Sequence, residues 1–189
     1  MPAESWSGST RALHWGLVAT ITFQLFTGLY ISTPGTLTYF YFHEWGGIVS
    51  SGVILLVWLW SYANYDLPLL FPWNRVGMAD IVTDLRGLFR GKLPRAGRVR
   101  GLSSIIHGLG LLAVTGMAVT GILIFLVIPG GHGARPASTD YGSFTALSLL
   151  HKDIAVLVWL YWFGHVGFAF AHQFRGGHVF GGIFRFGRS

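Results

Sequence analysis

Four long apolar segments alternate with polar segments along the chain. Each is close to the roughly 20 apolar residues that a helix needs to cross the hydrocarbon core of a bilayer. Pro34-Gly35 and Pro129-Gly130 follow the first and third segments and end the apolar runs there. The pattern predicts an all-α integral membrane protein, a four-helix transmembrane bundle that forms a single domain over residues 1–189, with spans at about 13–32, 42–62, 104–128 and 147–172.

The polar segment between the second and third spans contains one further helical pattern. Apolar residues recur at helical spacing within residues 76–89, which predicts a short helix. This helix either lies in the membrane interface or is an ordinary loop helix. Residues 39–41, all aromatic, are predicted to form an interfacial loop before the second span.

The composition agrees with a membrane protein and narrows its chemistry. Only 11% of the residues are charged, against about 25% in a soluble protein. Cysteine is absent, which excludes disulfides, cysteine-bound iron–sulfur clusters, thiolate zinc sites and covalently attached c-type haem. The first apolar run is long and itself contains His14, so a removable signal peptide is not predicted.

The basic residues are distributed unequally between the two sides of the predicted membrane. Eleven of the thirteen Lys and Arg residues lie in the leader, in the loop between spans two and three, or in the tail; the other two are Arg135 and Lys152. The positive-inside rule then places both termini in the cytoplasm. The net charge of +6 therefore reflects topology within membrane lipid, and binding of nucleic acid is not expected.

Histidines within the spans are the main candidates for chemistry. His151 and His165 are 14 residues apart, so on one helix they share a face within about 40° and lie about 21 Å apart along the axis. Topology pairs His43 with His151 near the outer surface and His14 with His165 near the inner surface. Ionisable residues in a span are costly and mark function, and neutral imidazole is a common axial ligand of haem iron. These four residues predict two non-covalent b-type haems; a polar tether, a proton relay or a transition-metal site are the alternatives.

Several other residues are secondary candidates. His107 is predicted to replace a partner at the inner haem, to line a quinone pocket, or to bond a haem propionate, and His172 is a weaker candidate for the same roles. Gly28 follows His14 by 14 residues and Gly121 follows His107 by 14, so both are predicted either to give a porphyrin clearance or to let helices pack closely.

Charged residues near the span ends have two possible roles each. Lys152, beside His151, is predicted to pair with a haem propionate or a partner protein, or to be part of a solvated helix end. Arg11 is predicted to neutralise inner propionates or to act as a positive-inside anchor.

These motifs carry a family resemblance over nearly the whole chain. The segments are RALHWG at residues 11–16, His43 with Gly46-Gly47, IIHGLGLLAVTGMAVTG at 105–121 and LLHKDIAVLVWLYWFGH at 149–165. They resemble the bacterial cytochrome b561 superfamily, which includes the cytochrome b subunits of membrane-bound nickel–iron hydrogenases and formate dehydrogenases. The resemblance implies two haems b with axial ligands at His14, His43, His151 and His165.

The branch of the superfamily is less clearly indicated. Residues 72–91 resemble the cytoplasmic loop of the hydrogenase and formate dehydrogenase subunits, whereas His107 resembles the stand-alone cytochromes b561. The Asn and Gln that contact quinone in the formate dehydrogenase subunit are replaced here by Arg100 and Ser103.

Three functions are consistent with these patterns. The leading hypothesis is a di-haem electron carrier between quinone and an outer-face dehydrogenase or c-type cytochrome, as a subunit of a respiratory oxidoreductase, with no catalytic residue of its own. The second is a stand-alone oxidoreductase, for example of superoxide and quinone, with Arg135 and Lys152 attracting the anion. The third is a metal transporter, which the lack of an internal repeat and the two depths of the histidines disfavour.

Overall fold

The computed structural model of the chain describes residues 7–31, 37–94, 101–128 and 143–175. Within these ranges all regular structure is helical, which confirms the all-α prediction. The helices are α1 (Gly8–Tyr30), α2 (Leu37–Ala63), α3 (Leu67–Leu70), α4 (Arg75–Phe89), α5 (Leu102–Val127) and α6 (Ser143–Phe174).

Among the described residues, four helices are long and apolar enough to cross a membrane. These segments are Gly8–Tyr30, Tyr39–Ala63, Leu102–Val127 and Thr145–Phe174, which confirms the four predicted spans. All four helices begin before the predicted limits, only α2 and α6 also end beyond them, and residues 39–41 belong to α2 and not to a loop. Hydropathy marks only the part of a helix inside the hydrocarbon layer, whereas backbone hydrogen bonding continues into the interface.

Polar side chains within the spans bond to their own helices. The hydroxyls of Thr20, Ser50 and Ser51 each donate to the backbone carbonyl four residues earlier, at 2.8 Å. A membrane interior offers no water to an exposed hydroxyl, so such bonds make these residues tolerable there. On the outside of α6, by contrast, large apolar side chains such as Leu157, Leu160 and Phe163 are exposed, as a lipid-facing surface requires.

The chain groups into two compact units. Unit 1 comprises the described parts of Met1–Ala12, Trp58–Leu111 and Leu160–Ser189; unit 2 comprises those of Leu13–Val57 and Leu112–Trp159.

Unit 2 is a bundle of four helical segments, one each from α1, α2, α5 and α6. Edge-to-face aromatic contacts join α1 to α6 through Phe26 and Trp159, with ring centroids 5.7 Å apart, and α2 to α5 through Trp45 and Phe125, at 5.5 Å. A Cβ built on Gly16 would lie 3.3 Å from Val53, so α1 and α2 also approach closely. The buried core of this unit consists of Leu25, Ile54, Val114 and Val158.

Unit 1 holds the short helices and the remaining helix ends. Trp58 stacks on Phe71 with centroids 5.9 Å apart and planes 9° apart. A Cβ on Gly108 would overlap the Leu70 carbonyl oxygen and approach the Phe71 ring, so only glycine fits at this contact of α5 with the end of α3. The Trp60 indole N–H donates to the Thr10 hydroxyl at 3.2 Å, which joins α2 to the start of α1.

Helix α4 confirms the short helix predicted between spans two and three. The Asn74 side chain caps it by accepting a bond from the Gly77 N–H at 2.8 Å. Buried Asp84 accepts a bond from the Leu102 N–H at 3.1 Å, and so places a carboxylate at the N-terminus of α5. The Arg175 guanidinium donates to the Gly91 carbonyl at 2.9 Å, so the end of α6 is held at the turn after α4.

The apolar side of α4 is exposed within the described part of the protein. Its members are Met78, Val82, Leu85 and Phe89. A helix in the membrane interface needs an apolar side that faces the lipid. This exposure therefore favours the prediction of an interfacial helix over that of an ordinary loop helix.

Replacing Gly110 by alanine is expected to destabilise unit 1. A Cβ at Gly110 of α5 would overlap the ring of Tyr161 of α6. Overpacking of this kind costs about 1–3 kcal/mol, so Gly110→Ala should lower the midpoint of thermal unfolding in detergent. Gly167→Ala is the control, because no atom lies within 4 Å of its Cβ position. Equal unfolding midpoints for the two variants would contradict the packing described here.

Candidate functional site

Two histidine side chains face each other in unit 2. His43 of α2 and His151 of α6 have ring centroids 6.3 Å apart and ring planes at 89°. Both residues are half-buried. They come from the second and fourth spans, and they are the two residues that depth matching paired near the outer surface.

Each of these rings contacts a buried threonine through its Nδ1 atom. The Thr27 hydroxyl of α1 lies 3.0 Å from Nδ1 of His43, and the Thr120 hydroxyl of α5 lies 2.8 Å from Nδ1 of His151. Both threonine side chains are almost fully removed from solvent. The two contacts therefore lie inside the bundle, on helices other than those that carry the histidines.

The hydrogen bonds of the threonines determine which nitrogen of each ring carries the proton. The Thr27 oxygen is 2.8 Å from the Phe23 carbonyl oxygen, and the Thr120 oxygen is 2.8 Å from that of Gly116. Two oxygens at this distance need a proton between them, and a hydroxyl has one proton to give. The hydroxyl therefore donates to its carbonyl and accepts from Nδ1–H of the histidine. Nε2 of both rings is left with a free lone pair.

Two glycines lie beside the same rings. A Cβ on Gly28 would lie 3.5 Å from Cε1 of His43, and a Cβ on Gly121 would lie 3.4 Å from Cε1 of His151. Cε1 lies between Nδ1 and Nε2, and the next nearest ring atom is Nδ1, 3.9 Å from the Cβ position of Gly28 and 4.0 Å from that of Gly121, so a longer side chain at either glycine would collide with the ring at its Cε1–Nδ1 edge. The structure thus places both predicted glycines at this one site.

The same local arrangement occurs twice in unit 2. Thr27-Gly28 of α1 contacts His43, and Thr120-Gly121 of α5 contacts His151 in the same manner. Sequence reasoning found no repeat and missed both threonines. The available signal was the Thr-Gly dipeptide in FTG and VTG, because its glycine, Gly28 or Gly121, was a predicted site residue in both segments.

A second histidine pair lies in unit 1. His107 of α5 and His165 of α6 have ring centroids 4.9 Å apart and planes at 87°, and Tyr161 stacks on His165 at 5.4 Å and 25°. Nδ1 of His107 is 2.6 Å from the Ser103 carbonyl oxygen, so it carries a proton and donates it there. The structure therefore places His107 beside His165, and it adds Tyr161, which sequence reasoning missed because an aromatic residue in a span resembles ordinary core.

The remaining candidates are placed as follows. His14 is half-buried on α1 in unit 2, with its ring edge-on to Trp15 at 6.4 Å, and its pairing with His165 stays a prediction. His172 is half-buried in the last turn of α6. Arg11 is half-buried on α1, whereas Lys152 is exposed on α6. Arg100 and Arg135 lie outside the described residues.

The His43–His151 site fits an iron with two axial imidazoles. Metal–nitrogen bonds of about 2 Å to both rings require ring centroids roughly 6 Å apart, close to the observed 6.3 Å. The Nε2 lone pairs are free, and both Nδ1–H groups have acceptors, as metal-bound histidines normally do. Nε2 of Gln24, in the same unit, is buried and has no hydrogen-bond partner among the described residues, so it can still donate to a bound group.

The His107–His165 geometry is different. Centroids 4.9 Å apart are too close for two ligands on opposite sides of one iron. This separation disfavours His107 as a ligand facing His165 across one iron, and its other predicted roles, lining a quinone pocket or bonding a haem propionate, stay predictions. Among the described residues, no group of three or more His, Cys, Asp or Glu side chains is arranged to hold a metal ion.

Comparison with known proteins identifies one family. A family model described as prokaryotic cytochrome b561 matches residues 5–185, which is nearly the whole chain. Neither the curated proteins nor the solved structures gave a match.

Filling the space beside the histidine rings is expected to remove the haem that the His43–His151 site fits. In Gly28→Leu and Gly121→Leu, the longer side chain would collide with the histidine ring at Cε1 and displace the ring. We expect each variant to carry less haem per polypeptide than the wild type, measured from the pyridine haemochrome spectrum. Gly52→Leu in α2 is the control, since nothing lies within 4 Å of its Cβ position. Full haem content in both test variants would show that the glycines provide no clearance.

Proposed function

Since the chain belongs to the prokaryotic cytochrome b561 family, and is therefore a membrane b-type cytochrome of electron transfer, we propose that it binds two haems b and carries electrons between an outer-face redox partner and quinone. The observation that carries this proposal is the His43–His151 pair, whose ring centroids lie 6.3 Å apart, a separation suited to one iron between them. When bound, haem supplies the one-electron chemistry, and the protein ligates, orients and shields it.

The second haem is assigned to His14 and His165. His165 is on the same continuous helix as His151, 14 residues further on, which corresponds to about 21 Å of rise. Such a separation would let electrons cross most of a bilayer in short steps between two cofactors. His107 and Tyr161, both beside His165, are polar groups that suit a quinone site near this second haem.

The proposed orientation of the protein in the membrane follows from the distribution of its basic residues. The basic residues of the loop after α2 and of the tail support cytoplasmic termini and a bacterial inner membrane. His43 and His151 then serve the outer-face partner, a dehydrogenase or a c-type cytochrome within a respiratory complex, while quinone and membrane lipid contact the inner half.

Exposed Lys152 next to His151 favours the alternative of a stand-alone oxidoreductase. A cation beside the outer haem would attract an anionic reductant, so the protein could act alone, for example as a superoxide:quinone oxidoreductase. Purification from native membranes distinguishes the two functions. A co-purifying dehydrogenase or c-type cytochrome supports the subunit, and quinone reduction by the isolated chain supports the stand-alone enzyme.

Histidine substitutions test the di-haem assignment. The wild-type chain is expected to hold two haems b, counted per polypeptide, with a b-type reduced-minus-oxidised spectrum. His43→Ala and His151→Ala should each lose one haem, and it should be the same haem in both variants, because both residues are proposed ligands of a single iron. The lost haem is identified by its reduction potential. His14→Ala and His165→Ala should lose the other.

Leu157→Ala is the matched control for these variants, because Leu157 is on α6 between two of the proposed ligands and its side chain is exposed. It should keep both haems. A wild-type chain without haem, made folded and with haem supplied, would refute the proposed function, and loss of different haems in His43→Ala and His151→Ala would refute the pairing.

A further inference from the structure

The contacts of Thr27 and Thr120 in unit 2 have the same backbone distances and similar distances to a histidine ring. Each hydroxyl lies 2.8 Å from the carbonyl four residues earlier and 3.2 Å from the carbonyl three residues earlier. Each lies 2.8–3.0 Å from Nδ1 of a histidine on another helix. One arrangement is thus built on two helices, and it supports the two rings of a single pair.

The need of a hydroxyl for a hydrogen-bond partner inside a membrane does not by itself explain this arrangement. Thr20 of α1 shows the simple case, in which the hydroxyl donates to the Gly16 carbonyl and this bond alone satisfies it. Thr27 and Thr120 make the same bond and in addition accept from a histidine Nδ1–H. Donating its own proton makes a hydroxyl oxygen a better acceptor, because successive hydrogen bonds polarise each other.

We propose that Thr27 and Thr120 are positioning residues that hold the Nδ1–H of His43 and His151, set the two ring planes, and lower the reduction potential of the iron bound between them. The proposal rests on the function proposed above. An acceptor at Nδ1 fixes the tautomer and orientation of a metal-bound imidazole and raises its basicity. A more basic ligand stabilises ferric iron more than ferrous iron, so the bond lowers the potential and its loss raises it.

The angle between the rings gives this role a spectroscopic signature. The planes lie at 89°, and the two rings are held from two different helices, α1 and α5. Nearly perpendicular axial imidazoles give low-spin ferric iron a strongly anisotropic electron paramagnetic resonance signal with a large maximum g value. A ring released by its threonine can rotate toward its partner, which lowers that g value.

The test compares valine, serine and cysteine at each threonine of the full-length, haem-loaded protein. Thr27→Val and Thr120→Val keep the shape and remove the hydroxyl acceptor. We expect each to lower the ratio of ferric to ferrous affinity about tenfold, which raises the midpoint potential of the haem by about 59 mV, and to lower the maximum g value. Serine at either position should restore both properties, because it retains the hydroxyl.

Two controls keep the result specific. Thr20→Val removes a hydroxyl from the same helix that touches no histidine ring, and it should leave the potential and the g value unchanged. The haem that shifts in Thr27→Val and in Thr120→Val must be the one that is absent from His43→Ala, and the two shifts should add in the double variant.

The outcomes separate this inference from the function on which it rests. Wild-type protein without haem would refute the function itself. Wild-type haem content with an unchanged potential and g value in both valine variants would refute the positioning role alone. If a valine variant fails to retain haem, the cysteine variant replaces it. Sulfur is a weak acceptor, so cysteine should shift the potential in the same direction by less, and a wild-type potential in that variant would overturn the proposal.

Discussion

Inside a hydrocarbon layer each polar group must find its hydrogen-bond partner within the protein, and the site in unit 2 follows from this constraint. A threonine in a helix gives its one proton to its own backbone, as Thr27 does to Phe23. Its oxygen can then only accept, and a histidine placed against it must turn its N–H inward. The preference for one ring nitrogen therefore originates in helix backbone bonding, several atoms away from the ligand position.

The spans and the histidine depths could be predicted because they depend on composition and spacing. Twenty apolar residues form a span whatever their order, and the alternating direction of successive spans predicts which end of a span lies at which surface, so His43 could be paired with His151 without knowledge of any contact. Helix ends were less predictable, because α2 continues through residues 39–41 after the hydropathy pattern has ended.

The supporting residues could not be predicted for a related reason. Thr27 and Thr120 matter through the helices that face them, and a single sequence does not show which helix faces which. Tyr161 was missed because its contact with His165 depends on Gly110, whose lack of a side chain leaves room for the ring. Hydropathy treats this glycine as neutral, although its role is to determine the position of another residue.

Helix α6 is a continuous helix of 32 residues that contains both His151 and His165. An α-helix advances by about 100° per residue, so the angular relation between the two rings depends on the number of residues between them and hardly on their identity. Exchange of one apolar residue for another in this segment leaves that relation intact. A single inserted or deleted residue would turn one histidine by more than a quarter of a circle, and no adjustment at the other end could restore both. The length of this segment is therefore under stricter constraint than its sequence.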